Sequence, residues 1–366
     1  MVKILCVITS GLTREGIVST QLEYLKNMNL DGIEMHVLSV SSPADGVVEE
    51  FENLGCKVIQ MPNRLRDLLK YRSELKKLMK REKYDVIHVH GSSALMVNEL
   101  GMAKKLKVPM RIAHSRNTMC TYEKIDKLLR PMFYKSYNLA LACGKDAGQW
   151  LFPDRDFEVL HNGKNLKKFA YNEEERRIFR EKLSLDGKIA VGFVGRISYQ
   201  KNMEFLISVF NDYHNRIPNS RLYIMGDGEQ KEMVKGLIEH HGLENDVVFT
   251  GNIKNVNEYL QAMDIMLLPS RFEGLPNVVL EWQICGLPTL VSNTVTEECK
   301  TTELVKFLPT NEGTSVWCDA MENIDLAADR GVASEISVKR MKEEKFDIEE
   351  GANYLRNLYL SAKKNI

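Results

Sequence analysis

The run Ser270-Arg271-Phe272-Glu273-Gly274-Leu275-Pro276-Asn277-Val278-Val279-Leu280-Glu281 combines residue types that can grip an anionic, hydroxyl-rich ligand. Gly274 lets the backbone approach a ligand closely, and Pro276 suits the first turn of a helix. The N–H groups of Leu275, Asn277 and Val278 would then point at an anion, with the helix dipole behind them. Glu281, about one turn into that helix, can accept both hydroxyls of a ribose. Glu273 precedes it in the loop. A single glutamate in such a place is usually solvated surface; the whole string, directly after the apolar run Ile265–Leu268, points to a ligand at a strand's carboxyl end.

A second run, Val191-Gly192-Phe193-Val194-Gly195-Arg196-Ile197-Ser198-Tyr199-Gln200-Lys201-Asn202, ends a strand at Gly195 and puts two cations on the following loop. Arg196 with its fork and Lys201 as a point charge can neutralise a diphosphate. In a transferase such binding also stabilises a leaving group as negative charge develops on it. Two surface cations alone are more often solvated. Beside the glutamate string they read as one site.

The first half carries weaker marks. His114, in Arg111-Ile112-Ala113-His114-Ser115-Arg116-Asn117, falls at a strand end. His88 and His90 alternate across another strand, so that His90 is the candidate for an acceptor-side group and His88 for a core residue. Gly16, in Gly11-Leu12-Thr13-Arg14-Glu15-Gly16-Ile17, can bring backbone amides to a phosphate at a helix N-terminus. No DxD-type acidic pair at a strand end and no cluster with metal-ligand spacing is seen.

These residues need a scaffold that delivers strand ends to one crevice. Short β-rich runs alternate with amphipathic segments along the whole chain. In the first half the runs are Val2–Thr9, Met35–Val40, Val58–Met61, Val86–His90, Met110–His114, Leu139–Ala142 and Glu158–Leu160. In the second they are Ala190–Val194, Arg221–Met225, Val247–Thr250, Ile265–Leu268 and Thr289–Ser292. Helices are predicted at Leu65–Arg81, Ala94–Leu106, Met203–Arg216, Glu229–His241 and Pro276–Cys285, with later ones at Ser334–Glu344 and Ile348–Ala362. Near-continuous apolar strands separated by helices mean parallel sheet covered on both faces. Two such series give an α/β protein of two Rossmann-like, doubly wound domains facing a cleft. The expected boundaries are 1–165, 166–345 and a C-terminal helix, 346–366, crossing back to the first domain.

The 366 residues suit two domains, and composition is ordinarily globular, with 44% hydrophobic and 27% charged residues. Net charge is zero, yet residues up to 170 hold 27 basic against 19 acidic side chains, and the remainder 23 against 31. A basic half suggests an anionic partner for that half. The helix at 64–81 adds a specific candidate. Its leucines have helical spacing and should pack inside, leaving a basic face with Arg66, Lys70, Lys77 and Lys80, either simply solvated or in peripheral contact with an anionic membrane. Seven scattered cysteines without a CxxC fit reduced thiols and argue against disulfides or a zinc site. No signal peptide and no uninterrupted apolar span is recognised, which suggests a cytoplasmic protein, peripheral at most on the inner membrane face.

The chain resembles the large retaining glycosyltransferase family 4, whose members share the GT-B fold and an E-x7-E motif. Glu273 and Glu281 match that motif, while Gly195, Arg196, Lys201 and Asn202 match the family's phosphate-binding loop. Met225-Gly226-Asp227-Gly228, Val248-Phe249-Thr250-Gly251 and Val159-Leu160-His161-Asn162-Gly163 match further, and Glu281-Trp282-Gln283 with Thr302–Leu308 resembles the branch serving capsular, exopolysaccharide or O-antigen synthesis.

The resemblance implies that Glu273 contacts donor-sugar hydroxyls and Glu281 the ribose. It makes Gly251, Gly274, Leu275, Pro276 and Asn277 donor-binding positions, and it puts His114 near the anomeric centre. It implies metal-independent transfer, with retention, of a hexose-type sugar from a UDP-type donor to a polyprenyl-diphosphate-linked oligosaccharide. Nucleic acid is not an expected partner, and no oligomeric state is implied. Two departures stand out: the loop at Gly11–Gly16 lacks the family's paired glycines, and Lys164-Asn165 replaces an apolar residue and Asp after Asn162-Gly163. The rival readings are a sugar-nucleotide 2-epimerase of the same fold and a non-catalytic sugar-nucleotide-binding subunit. A nicotinamide dehydrogenase is disfavoured because no G-x-G-x-x-G follows a strand.

Overall fold

A computed structural model describes residues 1–13 and 16–363. The chain forms two compact units, Met1–Gly163 with Lys345–Ile366, and Lys164–Glu344.

The first unit contains β1 (Val2–Ile8), β2 (Ile33–Ser39), β3 (Lys57–Gln60), β4 (Val86–Gly91), β5 (Met110–Ser115), β6 (Leu139–Ala142) and β7 (Glu158–Val159). They form one parallel sheet in the order β3-β2-β1-β4-β5-β6-β7, which reverses direction of winding between β1 and β4. Every residue of β4 is buried, as expected for a strand covered on both faces. Register places Ile8 beside His90 and His90 beside His114. The C-terminal helix Ile348–Ser361 belongs to this unit: Ile348, Ala352, Leu355 and Tyr359 enter the same apolar cluster as Leu22 and Leu25 of helix Gly16–Lys26.

The second unit contains β8 (Ile189–Val194), β9 (Ser220–Met225), β10 (Val247–Gly251), β11 (Ile265–Leu268), β12 (Thr289–Ser292) and β13 (Val305–Leu308). Their order is β10-β9-β8-β11-β12-β13, all parallel, with the switch between β8 and β11. Helix Met203–Arg216 shows why the sequence period is legible here. Met203, Leu206, Ile207, Phe210 and Tyr213 form the buried stripe of an amphipathic helix.

Two expectations need correction. The helix expected from Leu65 starts at Leu68, and Leu65, Leu68 and Leu69 do not pack inside; Leu69 is 86% exposed. Asn63 Oδ1 accepts from the N–H groups of Leu65 and Arg66, holding a turn there in place of helix. The buried stripe is instead Tyr71, Leu75, Leu78 and Met79. Pro276 lies one residue ahead of its helix, Asn277–Ile284, in extended backbone. The segment 302–308, quoted above only for its resemblance, supplies the edge strand β13.

Candidate active site

The loops after β8 and β11 leave the sheet at the switch point, where open α/β sheets bind ligands. Backbone packing brings them into register. Gly195 N–H donates to Met225 O at 3.0 Å, and Ile197 N–H to Asp227 O at 3.0 Å, tying the loop after β8 to the loop after β9. A Cβ on Gly226 would lie 2.0 Å from Gly195 O, so only glycine allows this approach. The Met225–Gly228 match is therefore a brace behind the site. Gly251 closes β10 with φ 67° and bridges to Gly226, which places it on the same brace.

Glu273 is the hub. Its Oε1 accepts from Lys201 Nζ at 2.6 Å and from Ser270 Oγ at 2.7 Å, and its Oε2 accepts from Gln200 Nε2 at 3.0 Å. Arg271 N–H donates to Gln200 O at 2.8 Å, and its guanidinium stacks on Tyr199 at 4.3 Å. The two loops thus form one polar surface whose carboxylate is fixed before any ligand arrives. Sequence reasoning named Glu273 and Lys201 but left out Gln200 and Ser270, although both stand inside the quoted strings.

Arg196 does not join this cluster. Its Nε donates to Glu229 Oε2 at 3.0 Å, and both side chains are mostly exposed. Such a pair holds its partners weakly, leaving the guanidinium able to turn to an anion. Leu275, Pro276 and Asn277 follow Gly274 into the helix start, where the amides of Asn277 and Val278 have no intrahelical acceptor. Asn277 Oδ1 is buried and has no partner among the described residues.

Glu281 stands in the same helix but apart from Glu273, and Lys164 Nζ lies 2.7 Å from its Oε1. Both side chains are largely buried, at 10% and 16% exposure. The lysine noted above only as a departure from the family pattern is thus a partner of the second glutamate. Gln283, in the same run, is structural: its Nε2 donates to Val279 O and Cys299 O, and its Oε1 accepts from Thr301 and Thr302.

The first unit gathers its histidines into a buried chain. Arg116 Nη1 lies 3.0 Å from His114 Nε2, His114 Nδ1 lies 3.0 Å from His88 Nε2, and His88 Nδ1 lies 2.7 Å from Tyr359 Oη. An arginine only donates, which assigns the protons: His114 carries its hydrogen on Nδ1, and His88 likewise. Burial pushes all three histidines down, His88 to about 3 and His90 and His114 well below their ordinary range, with the Arg116 charge adding to it. His90 stacks on His88 at 4.0 Å, and among the described residues neither of its ring nitrogens has a partner.

The sequence showed no metal-ligand spacing, yet the fold brings ring nitrogens of His88, His90 and His114 within 4.8 Å of one another. The hydrogen-bond chain commits the lone pairs of two, leaving His90 alone uncommitted. His90 and His114 are fully buried and do not present a ring to solvent. Gly16 is exposed at the start of helix Gly16–Lys26, and among the described residues nothing fills the space where a side chain would go; the neighbouring Arg14 and Glu15 lie outside the described residues. Among the described residues no helix is long and apolar enough to cross a membrane.

Comparison with known proteins bears on the family and the fold. A family model described as Glycosyltransferase Family 4 matches residues 15–168, and one described as Glycosyl transferases group 1 matches residues 174–304. A Bacillus subtilis (strain 168) protein bearing the name EpsF and a glycosyltransferase designation is 26% identical over 378 aligned positions, covering 98% of this chain and 97% of its own. An Escherichia coli protein named UDP-Gal:alpha-D-GlcNAc-diphosphoundecaprenol alpha-1,3-galactosyltransferase is 28% identical over 259 positions, 67% of this chain and 66% of its own. The crystal structure of Anabaena Alr3699/HepE in complex with UDP shares the fold, with a TM-score of 0.80 at 17% identity, covering 98% of this chain and all of that one. Two family models on successive stretches, over two Rossmann-like units and around the Glu273 loop, identify the chain as a glycosyltransferase of family 4, with the GT-B fold.

Proposed function

We propose that this glycosyltransferase moves a hexose-type sugar, with retention, from a UDP-type donor to a polyprenyl-diphosphate-linked oligosaccharide during bacterial surface-polysaccharide synthesis. The observation that carries the proposal is the preformed Glu273 cluster, at the switch point and directly ahead of a helix N-terminus. A carboxylate fixed by Lys201, Gln200 and Ser270 can accept sugar hydroxyls without reorganising. Lys201, Arg196 and the amides of Asn277 and Val278 supply positive potential for a diphosphate. Glu281 keeps Oε2 for a ribose hydroxyl while Lys164 holds Oε1.

On this reading the leaving diphosphate is neutralised by the chain's own cations and amides, so turnover needs no added metal ion. The relatives support the choice of substrate class: one is named for a UDP-galactose donor and a diphosphoundecaprenol-linked acceptor, and another, from Erwinia amylovora, for amylovoran biosynthesis. The test is a thermal-shift panel of nucleotide sugars, because a ligand that binds the folded chain raises its stability. Stabilisation by UDP and one or more UDP-sugars is expected. Stabilisation by none of them would remove the donor assignment.

A further inference from the structure

Helix Glu123–Tyr134 of the first unit turns an apolar row outward. Ile125, Leu128 and Met132 are 47%, 77% and 62% exposed, at spacings that put them on one face, while Asp126 and Phe133 are buried on the other. Burying apolar area is the main favourable term in folding, so a row left in water is a surface awaiting a partner. Beside it runs an open groove to which Leu129 and Met132 contribute one wall. Among the described residues five cations line the groove, Arg72, Lys76, Lys104, Lys105 and Lys135, and no acidic residue does. The exposed Leu69 stands one turn before Arg72 and Ser73 on helix Leu68–Glu82.

We propose that this surface docks the chain on a bilayer containing anionic phospholipid, with Leu128 and Met132 entering the interface and the groove cations meeting the headgroups. Charge complementarity selects the occupant. An apolar row flanked by cations is the pattern of a helix lying in a membrane interface. Four of the five groove cations are lysines, which are depleted at protein–protein contacts. A soluble anion would account for the groove and leave the apolar row without a purpose. The contact is thereby shifted from the face of Arg66, Lys70, Lys77 and Lys80 to the neighbouring groove and the helix beyond it, and it stands whatever sugar or acceptor the chain uses.

The test is flotation of the full chain with vesicles of phosphatidylcholine alone, or of phosphatidylcholine mixed with phosphatidylglycerol, at low and high salt. The wild-type chain should float with the anionic vesicles, more weakly at high salt. Leu128→Glu/Met132→Glu should lower vesicle binding roughly tenfold or more. Lys104→Glu/Lys105→Glu should remove the preference for anionic lipid. All four side chains are on the surface, so circular dichroism and UDP affinity should stay unchanged and separate a docking defect from misfolding. No binding by wild type, equal binding to both vesicle types, or wild-type flotation of Leu128→Glu/Met132→Glu would overturn the proposal. So would a salt-independent dimer formed through this face without vesicle binding.

Discussion

Lys201 Nζ and Glu273 Oε1 lie 2.6 Å apart with side chains 14% and 10% exposed, so the cation expected to meet a diphosphate is already engaged with the carboxylate expected to meet the sugar. On the proposed reading, one ammonium links both halves of the donor and couples sugar recognition to leaving-group charge. Lys201→Met should therefore lower kcat by about 10²-fold while raising KM much less, since the charge on the diphosphate grows as the bond breaks. Arg196→Ala should do less, because its partner Glu229 is on the surface, and it should leave the melting temperature unchanged. Steady-state kinetics decides: a Lys201→Met effect confined to KM would place the lysine in binding alone.

The Lys164–Glu281 pair separates stability from ligand binding. Glu281→Ala strands a largely buried ammonium and should destabilise the second unit by about 3 kcal/mol. It should also weaken UDP binding by about 1.5–3 kcal/mol through the lost charged acceptor. Adding Lys164→Met should restore most of the stability and none of the affinity. Denaturant titration and calorimetry on the single and double variants measure both. Recovery of UDP affinity in the double variant would show that Glu281 acts on the fold only.

Acid should destabilise the first unit through its histidines. His88, His90 and His114 are held neutral when folded and take up protons on unfolding below their ordinary value of 6.5. Stability is thus full above that pH and falls as pH drops below about 6.5; for His88 the loss runs down to about 3, at about 1.4 kcal/mol per pH unit, and His90 and His114 act in the same direction. His90→Phe keeps a stacking ring and removes two unpartnered nitrogens, so it should be neutral or stabilising at pH 7 and shallower in its acid dependence. Melting temperatures across that range test the point. An unaltered slope in His90→Phe would show that the ring is not buried neutral in solution.

How much of this was legible in the sequence depended on the length scale of the interaction. Parallel strands buried on both faces write themselves as apolar runs, and Met203–Arg216 shows its period plainly. The Glu273 loop was readable because glycine, proline and the two glutamates lie close together in the chain. The partners that fix those glutamates come from distant positions: Lys164 is 117 residues from Glu281 and Lys201 is 72 from Glu273. The histidine chain runs through Tyr359, 271 residues from His88, and so left no local trace. Leu65, Leu68 and Leu69 misled because hydrophobic spacing does not reveal which face of a helix the core will take. Tyr71 and Leu75, one turn further on, settled that.

Glycine contrasts give a further check. Gly226→Ala would push a Cβ to 2.0 Å from Gly195 O at a φ of 152°, and should destabilise the second unit by about 3 kcal/mol or more. Gly16→Ala meets open space and should leave stability unchanged. If Gly16→Ala nevertheless lowers turnover, its backbone approaches substrate; unaltered turnover removes it from the site. Thermal unfolding of both variants, paired with an activity assay, gives the answer.

The central claim is that the chain transfers a sugar from a UDP-type donor with retention and without a metal ion. Proton NMR of the anomeric signal, followed in excess EDTA with UDP-sugar and a polyprenyl-diphosphate-linked saccharide, tests it most directly. UDP should appear in step with one new glycosidic anomeric signal, whose coupling shows the donor's configuration kept, and Glu273→Gln should abolish the signal. An inverted product, loss of transfer in EDTA restored by Mg²⁺ or Mn²⁺, or conversion of one sugar nucleotide into another without release of UDP would contradict it.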